Sequence, residues 1–327
     1  MSKRLVWGDA LKGLLMILVI IGHVIQYTEC SQYEENHLWN AIYSFHMAAF
    51  IAVSGYFSSN GGGILLKRRF LQLMVPYLLW SLIWFLTDKS KHLQDILLAP
   101  DRYFWFLWVL FFINVLFSFS RYASEKKKIK EDIAIIAMGF LLIAVMLVTN
   151  FRLFGFQFIS YYYLFFLFGY MIRKYKNSVN TRNIIYVPLF VLWCLLAWNW
   201  NMHALPSWLH ISIIPESILQ FLYRGMTAFI AVYLLLMCSE KILDKEKNVL
   251  SRYIVWMGKY SLCFYTTHLL LVVSMRKMVI GVIPELDGQY ALLEPLLFLL
   301  LLVVSTIIIL ILSRNVWLER LFIGKWK

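Results

Sequence analysis

Charge is scarce in this sequence, and negative charge is scarcer. Asp, Glu, Lys and Arg make up 15% of 327 residues, with 18 acidic against 31 basic. A soluble domain carries about 25% charged residues and is roughly half apolar. This chain is 61% apolar with a mean hydropathy of +0.70. That balance excludes a water-soluble globule and implies an integral membrane protein. Cysteine is also sparse. Cys30, Cys194, Cys238 and Cys263 show no CxxC or metal-ligand spacing, and three lie in apolar runs. They read as small buried side chains rather than a metal centre. No small-residue cleavage site follows the first apolar run behind Lys3 and Arg4, so that run reads as a retained span. Internal repeats, heptads and low-complexity tracts are missing, and so are an inverted repeat and paired broken helices.

What is present is a series of apolar runs separated by short polar segments. Ten candidate spans cover residues 11–28, 38–57, 70–87, 103–120, 132–149, 155–172, 184–201, 215–238, 253–275 and 289–312. Their lengths suit helices crossing a hydrocarbon core of about 30 Å rather than barrel strands. With the N-terminus cytoplasmic, 22 of the 31 basic residues fall in inner segments and 6 in outer ones. Lys12, Arg224 and Lys259 fall within spans. A wrong span count would scramble this alternation. The expected fold is an all-α polytopic bundle of about ten transmembrane helices, with both termini cytoplasmic, forming one domain over 1–327. The net charge of +13 sits in short loops, which suits topology and anionic lipid headgroups better than nucleic acid.

Polar residues inside the spans are the candidates for chemistry, because ionisable groups at membrane depth are expensive and face a protein interior or a cavity. Span 1 carries Lys12 and His23, eleven residues apart and therefore on one helical face, separated by roughly 16 Å. Asp9 and Gln26 extend that stripe by one turn at each end. Span 2 carries His46 at a depth similar to that of His23, and a short loop makes the two spans antiparallel neighbours. For each histidine a buried hydrogen bond between helices is the plain alternative to chemistry. For Lys12 the alternative is interfacial snorkelling. Gly61-Gly62-Gly63 precedes Lys67-Arg68-Arg69. Such a glycine run beside cations can hold phosphates, and a flexible loop with topogenic charge explains it equally well. Arg224 lies near the middle of span 8. Tyr265, Thr266, Thr267 and His268 make a polar patch in span 9. His203 and His210 lie in an outer loop with Trp208, where an interfacial aromatic belt is the simpler reading. No carboxylate is placed to orient His23, since Asp9 is about three turns away on the same helix.

In order and spacing these residues resemble the membrane acyltransferase 3 family of bacterial O-acyltransferases. The resemblance runs through Asp9-Ala10-Leu11-Lys12-Gly13 to Gly22-His23, then Phe45-His46-Met47, Phe50 and Ser54-Gly55. It continues with Arg69 before Pro76-Tyr77, with 103–107, and with Tyr260-Ser261 before Tyr265 and His268. It covers essentially the whole chain. The family pattern is a basic residue, ten intervening residues and histidine. Lys12 stands where arginine is usual, which keeps the charge but weakens bidentate anion recognition.

The resemblance implies transfer of an acyl group, most often acetyl from acetyl-CoA, to a hydroxyl of a cell-surface or exopolysaccharide sugar. It implies a multi-pass protein of the bacterial inner (cytoplasmic) membrane, with the bare membrane unit and no soluble hydrolase-like domain. No permanently bound cofactor or metal is implied; acyl-CoA is a co-substrate. His23 is then the general base, or an acyl-histidine relay, and His46 an orienting or oxyanion-stabilising partner. Lys12, Arg68 and Arg69 would hold CoA phosphates, while Arg224, Tyr265 and His268 would line the acceptor side. The expected partners are the bilayer, acyl-CoA and a carbohydrate acceptor, with no nucleic acid. A competing class is a transporter or flippase, since buried histidines and a mid-membrane arginine suit a proton-coupled carrier. A blander one is a membrane scaffold with buried polar glue.

Overall fold

The computed structural model describes residues 6–30, 32–58, 66–149, 151–176, 183–209, 211–243 and 248–326. Among the described residues there is no β-strand. The long helices are α1 (Val6–Thr28), α2 (His37–Tyr43), α3 (His46–Ser58), α4 (Leu66–Thr87), α5 (Trp105–Lys127) and α6 (Glu131–Thr149). They continue with α7 (Phe156–Lys174), α8 (Tyr186–Trp198), α9 (Glu216–Ile242), α10 (Val249–Lys259), α11 (Ser261–Val282) and α12 (Tyr290–Ser313). Helices α2 and α3 together make up a single candidate span, His37–Ser58. The protein is thus an all-helical, multi-pass membrane protein.

Nine spans among the described residues are long and apolar enough to cross a bilayer, against the ten expected. The difference lies at residues 184–201. There α8 is an apolar helix of 13 residues, about 20 Å long, which falls short of a core of about 30 Å. Hydropathy alone could not see this, because the apolar run starts at Ile184-Ile185, which lie in a 3-10 turn ahead of the α-helix. The expected span 253–275 also divides. Tyr260 leaves helical geometry (φ −112°, ψ 15°), so α10 ends and α11 begins, placing Lys259 at a helix terminus.

The chain forms two compact units. The first comprises Met1–Phe50 and Val179–Ile309; the second comprises Ile51–Ser178 and Leu310–Lys327. In the first unit α1 is the central helix and packs against α10 and α11. The approach to α10 is as close as backbones allow. A Cβ on Gly13 would lie 2.0 Å from the Ile254 carbonyl oxygen, and one on Gly258 would lie 1.8 Å from that of Asp9. Small residues at such crossings are how membrane helices gain packing without a hydrophobic driving force. In the second unit the C-terminal segment ties back onto α4, where the Trp80 indole donates to the Phe322 carbonyl at 3.0 Å. Helix α4 contains a π-helical turn, Phe70–Met74, directly after Arg69. Outside the spans, Lys91 lies 4.4 Å over the Trp84 ring, and its burial there lowers its pKa.

Candidate active site

The site is assembled by α1, α2, the first turn of α3 and α11, and its side chains all belong to the first unit. Helix α1 presents His23, and Gln26 follows on the same face one turn later. The His23 Nδ1 lies 3.1 Å from Gln26 Oε1, and the Tyr43 hydroxyl donates to the same oxygen at 2.9 Å. An amide oxygen only accepts, so the proton sits on Nδ1 and the His23 Nε2 carries the lone pair. This is the orienting interaction the sequence did not reveal: a neutral amide takes the place of a carboxylate. Gln26 was visible in the polar stripe without a role. Tyr43 was missed, although its position three residues before His46 puts both on one face.

Tyr43 reaches α1 because Gly22 leaves room for it. A Cβ on Gly22 would meet the Tyr43 ring at 2.8 Å. The other face of the ring stacks on Trp39 at 3.9 Å between centroids, a contact worth about 0.5–1.5 kcal/mol beyond area burial. Helix α2 starts where it does because the Asn36 side chain accepts from the Leu38 and Trp39 amides at 2.9 and 3.1 Å. That N-cap fixes the register of Trp39 and Tyr43.

His46 opens α3 and is buried. The helix loosens at Ser44–Phe45, and the His46 Nδ1 donates to the Ile42 carbonyl at 2.8 Å across that break. Its ring lies 4.7 Å from that of Tyr43. His268 on α11 is completely buried, its ring 5.3 Å from the His23 ring. Its Nδ1 donates to the Phe264 carbonyl at 2.7 Å. The neighbouring Thr266 and Thr267 hydroxyls turn back to carbonyls of their own helix. In each of the three histidines, then, Nδ1 is the protonated nitrogen and Nε2 the acceptor.

With this geometry in view, comparison with known proteins identifies the chain. A family model described as an acyltransferase domain matches residues 5–314. The chain belongs to this acyltransferase family. Two curated relatives, both called nodulation protein NolL, are similar to it. The one from Mesorhizobium japonicum is 31% identical over 226 residues, 60% of this chain and 57% of the relative. The one from Sinorhizobium fredii is 26% identical over 228 residues, 61% of this chain and 58% of the relative. The chain therefore matches over less than two thirds of either relative's length. No solved structure matches it detectably. The resemblance seen in the motifs is borne out at the level of the family.

Within this family member the remaining candidates are spread out. Tyr265 is buried on α11, its ring 6.1 Å from that of His268. Arg224 on α9 is half-buried and holds the loop after α8: it donates to the Met202 carbonyl at 3.3 Å and lies 5.6 Å over the Trp200 ring. Gln220 donates to the same carbonyl at 3.2 Å, and the Tyr223 hydroxyl donates to the Leu196 carbonyl at 2.6 Å. His203 lies 3.3 Å from Glu34, clasping that loop to the one after α1. Lys12 is half-buried on α1 in the first unit. Arg68 is exposed and Arg69 partly buried on α4 in the second. Gly61-Gly62-Gly63 and His210 lie outside the described residues. A cavity of about 660 Å³ lined by α1, α8 and α9 is walled by side chains such as Leu14, Leu18, Phe190 and Leu234. None of the candidate residues lines it, so it is not where the polar groups converge.

Proposed function

We propose that this family member is an O-acyltransferase that moves an acyl group, acetyl in the first instance, from acyl-CoA to a sugar hydroxyl. The observation that carries the reading is the fixed His23 imidazole: Nδ1 held by Gln26, Nε2 presented as a lone pair inside a transmembrane helix. A sugar hydroxyl is too weak an acid to attack a thioester unaided. His23 Nε2 takes its proton as the oxygen bonds to the thioester carbon. The carbon–sulfur bond then breaks, and the CoA thiolate takes the proton back. General-base assistance of this kind contributes about 10²–10⁴ in rate. Gln26 and Tyr43 act as the group that orients the base.

His46 serves this arrangement through the break it bridges, which sets Tyr43 against α1. Lys12 supplies positive charge for the CoA phosphates from the first unit; Arg68 and Arg69 are a separate cationic pair on α4 of the second, each a candidate in its own right. Arg224 secures the loop over the opposite end of α1, and Tyr265 lines the acceptor side with His268. The protein acts in the bacterial inner membrane with its N-terminus cytoplasmic, as the basic residues flanking alternate spans ahead of α8 support. Membership of an acyltransferase family favours this reading over a carrier.

The test is direct. Purified protein in detergent is given radiolabelled acetyl-CoA and a panel of glycans. Label should appear in glycan, and His23→Ala should abolish it while the protein still elutes as a single peak. Flux of glycan in proteoliposomes without acyl transfer would favour the carrier and overturn the proposal.

A further inference from the structure

His268 has a feature that the base mechanism leaves unused. It is fully buried, and its Nε2 has no hydrogen-bond partner among the described residues. A buried acceptor without a donor is costly, and native proteins seldom retain one without reason. The threonine hydroxyls beside it do not relieve it, since both serve their own helix. Nor can His23 relieve it. Both rings spend their Nδ1 hydrogen elsewhere, His23 on Gln26 and His268 on Phe264. What remains is a pair of imidazoles 5.3 Å apart, each offering a lone pair and neither able to donate to the other.

A site with two adjacent acceptors calls for a ligand with two adjacent donors. We infer that the acceptor carries neighbouring hydroxyls, a vicinal diol, with one hydroxyl donating to His23 Nε2 and the next to His268 Nε2. The inference rests on the reading of His23 as the base. The hydroxyl at His23 gives up its proton to Nε2 as its oxygen bonds to the thioester carbon, and the departing thiolate recovers that proton. The hydroxyl at His268 keeps its proton throughout. His268 therefore selects the acceptor and the position acylated. A site built to hydrogen-bond a hydroxyl rejects analogues that lack it far more strongly than an apolar pocket rejects a missing methylene.

The experiment is a double-mutant cycle between residue and substrate. Purified protein in detergent is assayed for kcat/KM with acetyl-CoA. The acceptors are the methyl glycosides of glucose, galactose and mannose, with their singly deoxygenated derivatives. Removing the hydroxyl next to the acylated one should cost about 10²-fold or more. His268→Ala should cost about the same with the parent glycoside, and the two losses should not multiply. His268→Gln, whose amide oxygen also accepts, should recover part of the activity, which a merely collapsed site would not. Deoxygenated glycosides acylated as fast as their parents, or losses that multiply, would overturn the inference. So would acylation of a simple monohydroxy alcohol by a protein that ignores every diol in the panel. His23→Ala is run alongside: retained activity there removes the base reading itself, whatever the cycle shows.

Discussion

At the scale of single residues, the site is a hydrogen-bond chain with one free end. Tyr43 and His23 both donate to Gln26 Oε1, and the free end is the His23 lone pair. The chain makes graded predictions. His23→Ala should remove transfer entirely. Gln26→Leu leaves the ring in place but releases Nδ1–H, so the imidazole can turn and change tautomer. Its kcat should fall by about 10-fold or more, with the KM for acyl-CoA little changed. Tyr43→Phe keeps the stack on Trp39 and loses the neutral hydrogen bond to Gln26 with the longer 3.4 Å contact to His23 Nδ1, so its kcat should fall by only about 3- to 10-fold. Equal effects of the Gln26 and Tyr43 variants would mean that Gln26 does not set the tautomer. His23 was legible in the sequence because a histidine in an apolar run is conspicuous. Its partners were not. Gln26 and Tyr43 are ordinary residues near a helix end, and only the folded chain brings Tyr43 across from another element.

At the scale of elements, the sequence reported hydrophobic length well and helix continuity poorly. Eight of the expected runs coincide with long apolar spans, because burial in hydrocarbon leaves a simple compositional mark. The breaks at Ser44–Phe45 and Tyr260 were not legible as breaks, since the few polar residues there, Ser44 and Lys259-Tyr260-Ser261, sit between apolar stretches that each continue the run. Yet these breaks carry the site: the first lets His46 bridge to Ile42, the second frees α10 to lie along α1 while α11 brings His268 to His23. The contact of α1 with α10 is set by Gly13 and Gly258, each within about van der Waals touch of a facing backbone. Gly258→Val would put side-chain carbon where the Asp9 carbonyl stands. Overpacking of this kind costs about 1–3 kcal/mol or more. The variant should show a lowered unfolding temperature in detergent. Gly22→Ala is the contrasting case. It meets the edge of the Tyr43 ring rather than backbone, so transfer should suffer more than thermal stability. If both glycine variants lost stability alike, Gly22 would be a packing residue and not a seat for Tyr43.

At the scale of the whole molecule, the proposed reaction makes the arrangement of charge relative to the membrane decide which end of α1 would meet an acyl-CoA donor. Lys12 and His23 stand roughly 16 Å apart along one helix, so under the proposed function the orientation of that helix would determine on which side CoA and acceptor enter. The proposed orientation, drawn from the basic residues that flank alternate spans ahead of α8, has the N-terminus inside and the α1–α2 loop outside. Cys30 offers a test without engineering, because it is exposed in that loop just after α1. Cys194 and Cys238 lie within apolar helices, and Cys263 is buried. A membrane-impermeant maleimide added to intact spheroplasts should therefore label the protein, and Cys30→Ser should abolish the label. Labelling that appears only after lysis would invert the molecule. CoA phosphates would then have to be sought at the His23 end of α1, and Lys12 would no longer be a donor anchor. The same experiment thus ranks two cationic sites: with the N-terminus inside, Lys12 faces the compartment where acyl-CoA is made, and Arg224 secures the acceptor side.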